Sequence, residues 1–352
     1  MRTDNLYIAG VAARVPELFP VAEAVRRGWY DAGRAEAEGW TSVAVAGGLS
    51  APELAAEAGV DALKRSGLGS DEIALVLHSG VWHQGPDGWF PAHYVQDRVT
   101  GGTAPAIGLH QGCTAVLDGI RLAHGQLTTD PTAHAALITA SDNFGTPLVD
   151  RWNYADGWGS GRGSILGDAG GAVVVSTEGG PLRVRALALT SLSSWEHLYR
   201  GDEAMYPPPI LLGNQAVLGS RMASYVARHD PDGGLLQAVT RDLVRARTAL
   251  ARQVMEEAGV GPGDITRVTH VFTGHPRYLA SLLRPLGIPP ERGLLDLGRA
   301  HGHLTSTDQV LGLSHLMETG AVSPGDHILM MANGGSISLA CAVVEVLDRP
   351  DW

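Results

Sequence analysis

Two stretches of this 352-residue chain follow one grammar. Residues 108–127 read as an apolar strand end, a turn and an amphipathic helix; a strand follows at 135–139 and a glycine-led strand after Gly171. Residues 302–318 open the same series, followed by a strand at 328–331 and a glycine-led strand after Gly335. An internal duplication of one βαβ-rich unit constrains the fold more than any single motif. It predicts an α/β protein whose halves divide at 1–178 and 179–352. Local signals agree. Ser50 and Glu53 form a capping-box pattern with Pro52 in the first turn, and apolar positions run from Leu54 through Leu63 to a stop at Gly67. Val116, Leu117, Ile120, Ala123 and Leu127 share one face of the helix after residue 113. Helices are also predicted at 242–257 and 308–318, and strands at 73–77, 172–175 and 268–272. The stretches 143–163 and 188–235 read as long irregular loops, with Trp152, Tyr154, Trp158, Trp195, Tyr199 and Tyr206 suited to a pocket wall or a lid. Gly157 to Gly161 reads as a flexible loop without a nucleotide-binding pattern.

A formal net charge of −11 argues against nucleic acid or an anionic membrane as partner. Lys64 is the only lysine, which argues against a lysine-bound cofactor. No apolar stretch is long enough to span a bilayer, no signal-peptide pattern opens the chain, and two lone cysteines give no disulfide framework. A cytoplasmic location is expected.

The two cysteines differ. Cys341 lies inside the apolar run Leu339 to Val344 and reads as packing. Cys113 lies where the turn gives way to the helix. Unpaired backbone N–H groups and the positive end of the helix dipole favour a thiolate there, so Cys113 is the candidate nucleophile. His301 and His303 have a spacing that suits a metal, but no further ligand cluster stands beside them in sequence, and no metal is expected.

The order of motifs resembles the thiolase superfamily, most closely its ketoacyl synthase III branch. Val15-Pro16-Glu17, Phe90 to Gln96, Gly112-Cys113-Thr114, Ser164 to Ala172, Gly274-His275-Pro276, Ser323 to Asp326 and Gly334-Gly335 look like that family's landmarks in sequence order. The resemblance implies the five-layered αβαβα thiolase fold and a homodimer. It implies Cys113 as the acyl-accepting nucleophile, His275 as the catalytic histidine, and the N–H groups of Cys113 and Gly335 as an oxyanion hole. The family's catalytic asparagine is replaced here by His303. Asp308, near the start of the helix that mirrors the Cys113 helix, looks like the carboxylate of a Cys-His-Asp subgroup that moves acyl groups onto hydroxyls without decarboxylation. The expected catalytic set is therefore Cys113, His275 and Asp308, with His303 lining the acceptor site or taking the third role instead. The activity implied is an acyltransferase of specialised metabolism, of the polyketide and antibiotic kind. Its donor is a coenzyme A or carrier-protein phosphopantetheine thioester, its acceptor a small-molecule hydroxyl, and it needs no further cofactor. The rival implication is decarboxylative condensation priming a polyketide or fatty-acid chain. Arg65, Arg151 and Arg277 are candidate phosphate contacts.

Overall fold

The computed structural model describes residues 1–154, 164–216, 218–230 and 232–352. Gly157 to Gly161 and Trp158 lie outside the described residues.

Nine strands form one mixed sheet. Their order is Ala106–Leu109, Ile73–Ser79, Ala135–Asp142, Ala169–Ser176, Tyr7–Arg14, then Leu182–Ser191, Ser338–Val346, His327–Gly334 and Ile265–His270. The first five belong to one half of the chain and the last four to the other. The seam between them is short: Tyr7 pairs with Arg183 and Ile8 with Leu182, antiparallel, and the N-terminal residues continue alongside through the Arg2–Ala186 bridge and the Thr3 N–H, which donates to the Arg185 carbonyl. A separate two-stranded ribbon pairs Glu17–Pro20 with Ser42–Val45.

The halves fold back on each other across two helices. Ala115–Thr129 and Thr307–Glu318 each pack against strands of both halves. One apolar core collects Val116, Leu117 and Ile120 from the first helix, Leu313 and Leu316 from the second, and inward residues of both half-sheets such as Leu77, Ile138, Ile328 and Met330. Helices Ala51–Ser66 and Pro91–Val99 cover the outer face of the first half, and Gly234–Ala258 covers that of the second, with its own core of Leu250, Val254, Leu329 and Val343. The layers are helix, sheet, helix pair, sheet, helix: the thiolase fold, in the five layers that the resemblance implies.

Local sequence explains the tight places. Ser50 and Glu53 form the expected capping box, and the helix ends on Gly67 at φ 71°. Gly170 and Gly171 lie between two helices. A Cβ on Gly170 would stand 2.2 Å from the Leu54 carbonyl oxygen, and one on Gly171 would stand 2.9 Å from Val310 Cβ. Only glycine lets both helices lie against this strand.

Two expectations are corrected. The helix expected at 242–257 spans Gly234–Ala258. The stretch 188–235 is largely ordered. It holds the end of one strand, the short helix Glu196–Arg200 and the helix Leu218–His229, which pack together through Leu198, Met222 and Tyr225. An apolar stripe shared across chain-distant segments made these helices hard to see locally. No helix among the described residues is long and apolar enough to cross a membrane.

Candidate active site

Cys113 sits in a one-turn 3-10 segment, Gly112–Thr114, that runs into the helix Ala115–Thr129. Gly112 takes φ 61°, which turns the chain sharply before the sulfur. The side chain is half-buried and opens on a cavity of about 700 Å³ between the two halves.

The imidazole that reaches this sulfur belongs to His303. Its Nε2 lies 3.3 Å from Cys113 Sγ, and its Nδ1 lies 2.6 Å from Asp308 Oδ2. His303 is fixed by its backbone: its N–H donates to the Ile165 carbonyl at 2.8 Å, and its carbonyl accepts from the Gly167 N–H at 3.0 Å. The segment read as a family landmark at Ser164 to Ala172 thus clasps the histidine main chain. Asp308, fully buried in the first turn of Thr307–Glu318, is fixed too. Its Oδ1 accepts from the Leu304 N–H at 2.7 Å and its Oδ2 from the Phe272 N–H at 2.8 Å. Burial opposes a charged imidazole, but the Asp308 carboxylate and the Cys113 sulfur outweigh it and push His303 up to about 10. The arrangement is a sulfur, a proton carrier and a carboxylate in hydrogen-bonded series, the geometry of an activated nucleophile with an oriented base.

His275 does not join it. It caps the helix Pro276–Leu283, its Nδ1 accepting from the Arg277 N–H at 3.1 Å, and it does not line the cavity. The structure brings together Cys113, His303 and Asp308, and not the expected trio of Cys113, His275 and Asp308. The physical reason lies in the turn. Gly274 is wedged against the Glu38 carbonyl and Trp40, its own carbonyl accepts from Arg299, and Pro276 starts the helix at once, so the ring serves as a cap. The nearby His270 is a core residue: Nδ1 donates to the Val271 carbonyl, Nε2 accepts from the Leu294 N–H, and burial holds the ring below its usual range.

Gly335 lines the cavity beside the nucleophile turn. Its N–H lies 3.3 Å from where a Cβ on Gly112 would be, and Gly334 packs as closely on the Cys113 N–H. Ser336 and Ile337 follow at φ 54° and 59°, a strained pair for residues with side chains. Cys341 is buried in the second half, where burial pushes its thiol up to about 12.

The candidate phosphate contacts are corrected as well. Arg65 is held by the Val11 carbonyl, Ser314 and Glu318; Arg151 is paired with Asp168; Arg277 does not line the cavity. Among the described residues, the arginines that do line the cavity are Arg200 and Arg221. Arg200 is paired with Glu196, whereas Arg221 donates to the Tyr199 carbonyl and pairs with no carboxylate among the described residues. Neither was singled out in sequence, because the stretch that carries them read as loop. Of the aromatics expected at the pocket, Tyr154 and Tyr199 line it; Trp152 is buried against Tyr30 and Trp40, and Tyr206 is exposed.

Two packed halves, each presenting the start of a middle-layer helix to one cavity, define a thiolase-type enzyme. Comparison with known proteins gives the family. The profile described as 3-oxoacyl-(acyl-carrier-protein) synthase III C terminal matches residues 255–346. A curated relative, beta-ketoacyl-acyl-carrier-protein synthase III 5 of Streptomyces coelicolor, is 27% identical over 300 residues, 83% of this chain and 81% of its own. Among solved structures, ChlB3, titled an acyltransferase, superposes with TM-score 0.90 at 35% identity, covering 99% of this chain and 100% of its own. The 3-oxoacyl-acyl-carrier-protein synthase III of Aquifex aeolicus superposes with TM-score 0.76 at 19% identity, covering 97% and 99%, a likeness of fold. The chain belongs to the ketoacyl synthase III-like branch of the thiolase superfamily and is an acyltransferase.

Proposed function

We propose that the protein moves an acyl group from a coenzyme A or carrier-protein thioester, through an acyl-enzyme on Cys113, to a hydroxyl of a small-molecule acceptor in specialised metabolism. The observation that carries this reading is the series Cys113 Sγ–His303 Nε2 at 3.3 Å and His303 Nδ1–Asp308 Oδ2 at 2.6 Å. The name of the ChlB3 relative supports the transfer; the synthase relatives support a carrier-protein donor. The protein acts as a homodimer, as the family resemblance implies.

The Cys113 sulfur attacks the thioester carbonyl, and the N–H groups of Cys113 and Gly335 hold the oxyanion that forms. Collapse expels the donor's thiol, which takes the proton from His303. Acylation then removes the sulfur's charge and its contact, two of the influences that hold a proton on this imidazole. His303 is now a competent base. It takes the proton of the acceptor hydroxyl as the oxygen attacks, and returns with the sulfur to the starting pair. Asp308 keeps the ring in the tautomer that presents Nε2 to the cavity.

Decarboxylative condensation needs hydrogen-bond donors aimed at a second thioester rather than a base. His275, the donor that the family would supply, stands outside the cavity. The test is intact-mass measurement after mixing with a panel of acyl thioesters, then with hydroxyl acceptors. A Cys113 adduct that disappears as an ester forms supports transfer. Turnover of malonyl thioester with carbon dioxide release, in place of ester formation, would overturn it.

A further inference from the structure

The turn between His303 and Asp308 carries three hydroxyls in a row, and each bonds across to the other half of the chain. Thr305 Oγ1 donates to Asp142 Oδ2 at 2.6 Å, Ser306 Oγ to the Gly112 carbonyl at 2.6 Å, and Thr307 Oγ1 to the Ala140 carbonyl at 3.2 Å. All three residues are buried. Thr305 sits at φ 58°, a conformation that β-branched residues avoid. Such strain persists only where the surroundings over-determine it. Here they do, because the residue after it is tied to the turn that carries the nucleophile and the one beyond to the strand Ala135–Asp142.

Asp142 is the other end of the clamp. It is buried at the end of that strand, and its Oδ1 accepts from the Val81 and Trp82 N–H groups at 2.9 Å each. Val81, Trp82 and Thr305 all line the catalytic cavity. One carboxylate therefore joins a wall of the cavity to the turn between the base and its partner. Helix capping does not explain this pattern. The N-cap Ser306 makes no side-chain cap bond to its own helix and spends its hydroxyl on Gly112 instead.

We propose that Asp142, Thr305 and Ser306 are positioning residues of the reaction, holding the His303 imidazole at hydrogen-bond distance from the Cys113 sulfur by tying the half that carries the base to the half that carries the nucleophile. The proposal rests on the Cys113–His303–Asp308 reading. None of the three touches the reacting atoms; they act through the position of the ring.

The experiment is the pH profile of Cys113 alkylation by iodoacetamide, located by peptide mass with buried Cys341 as the internal control, in wild type, Thr305→Val, Thr305→Ser, Ser306→Ala and His303→Ala. His303→Ala gives the profile of a thiol without its imidazole, about 8.5 for an unassisted cysteine. Thr305→Val, isosteric but without the hydroxyl, is expected to move most of the way to that profile and to react at least tenfold more slowly at pH 6.5. Thr305→Ser is expected to restore the wild-type profile, and Ser306→Ala to fall between. A profile of Thr305→Val that overlays wild type overturns the proposal. A profile of His303→Ala that overlays wild type overturns the triad itself, and the two failures are thereby told apart. Should Thr305→Val fail to fold by circular dichroism, Ser306→Ala decides: a wild-type profile there overturns the proposal, and a shifted one supports it.

Discussion

The two middle-layer helices begin alike and end up with opposite duties. Each follows a residue with positive φ close by, Gly112 at 61° and Thr305 at 58°, and each points its start towards the same cavity. The first helix is entered through glycine and presents a small polarisable sulfur. The second is entered through a strained threonine and carries Asp308, whose oxygens are taken up by two backbone N–H groups and an imidazole. On the proposed reading one helix start offers a nucleophile, and the other fills its own start with a carboxyl group that orients a base. A duplicated scaffold becomes a catalyst through the difference between its copies. Symmetric starts would give two nucleophiles or two carboxylates, and neither would move a proton.

The largest effect that sharpens this contrast is removal of the proton carrier. His303→Ala is expected to slow acyl transfer by roughly 10³-fold or more, and Asp308→Asn by roughly 10²- to 10⁴-fold through loss of the oriented tautomer, read by single-turnover kinetics. His275→Ala breaks the contrast if it behaves the same way. It is expected to leave the rate within about twofold and to cost about 1 kcal/mol of stability through the lost cap, measured by urea melts. Gly334→Ala tests the seat of the oxyanion hole. Its Cβ would come within 2.7 Å of Ser338 Oγ and 3.1 Å of the Cys113 nitrogen, so a fall of roughly 10- to 100-fold in rate is expected at unchanged donor binding. The last effect is electrostatic and is read against pH rather than as a rate. Burial pushes Asp142 up to about 6. The native state then holds a proton that the unfolded chain has released, and stability falls as pH rises from about 4 to about 6, by about 3 kcal/mol. Denaturant melts of Asp142→Asn across that range should lack this component of the slope.

How far the sequence carried is clearest at particular residues. The duplication, the capping box at Ser50 and the helix start at Cys113 were legible because each is local or periodic. Asp308 was legible from the register between the copies. His303 stands out as a departure from the family pattern, but the resemblance gives the catalytic histidine as His275. Little but Pro276 distinguishes the two rings locally. What separates them is a pair of backbone bonds from Ile165 and Gly167, more than 130 residues away in the chain, and a proline that commits His275 to its own helix. Arg221 is not legible for the related reason that its helix packs on distant Leu198 and Ile337. Contacts made across the fold leave little trace in a short window.

The short seam in the sheet has one more consequence. The halves meet along one short edge, and the angle between them depends on the volume of the apolar filling that both share. Trimming Leu316 or Ile120 by a few methylenes would let one half tilt on the other and change the gap between sulfur and imidazole, with every reactive group left chemically intact. Drift in the oily middle of such a molecule is therefore a route by which chemistry at its cavity can be retuned.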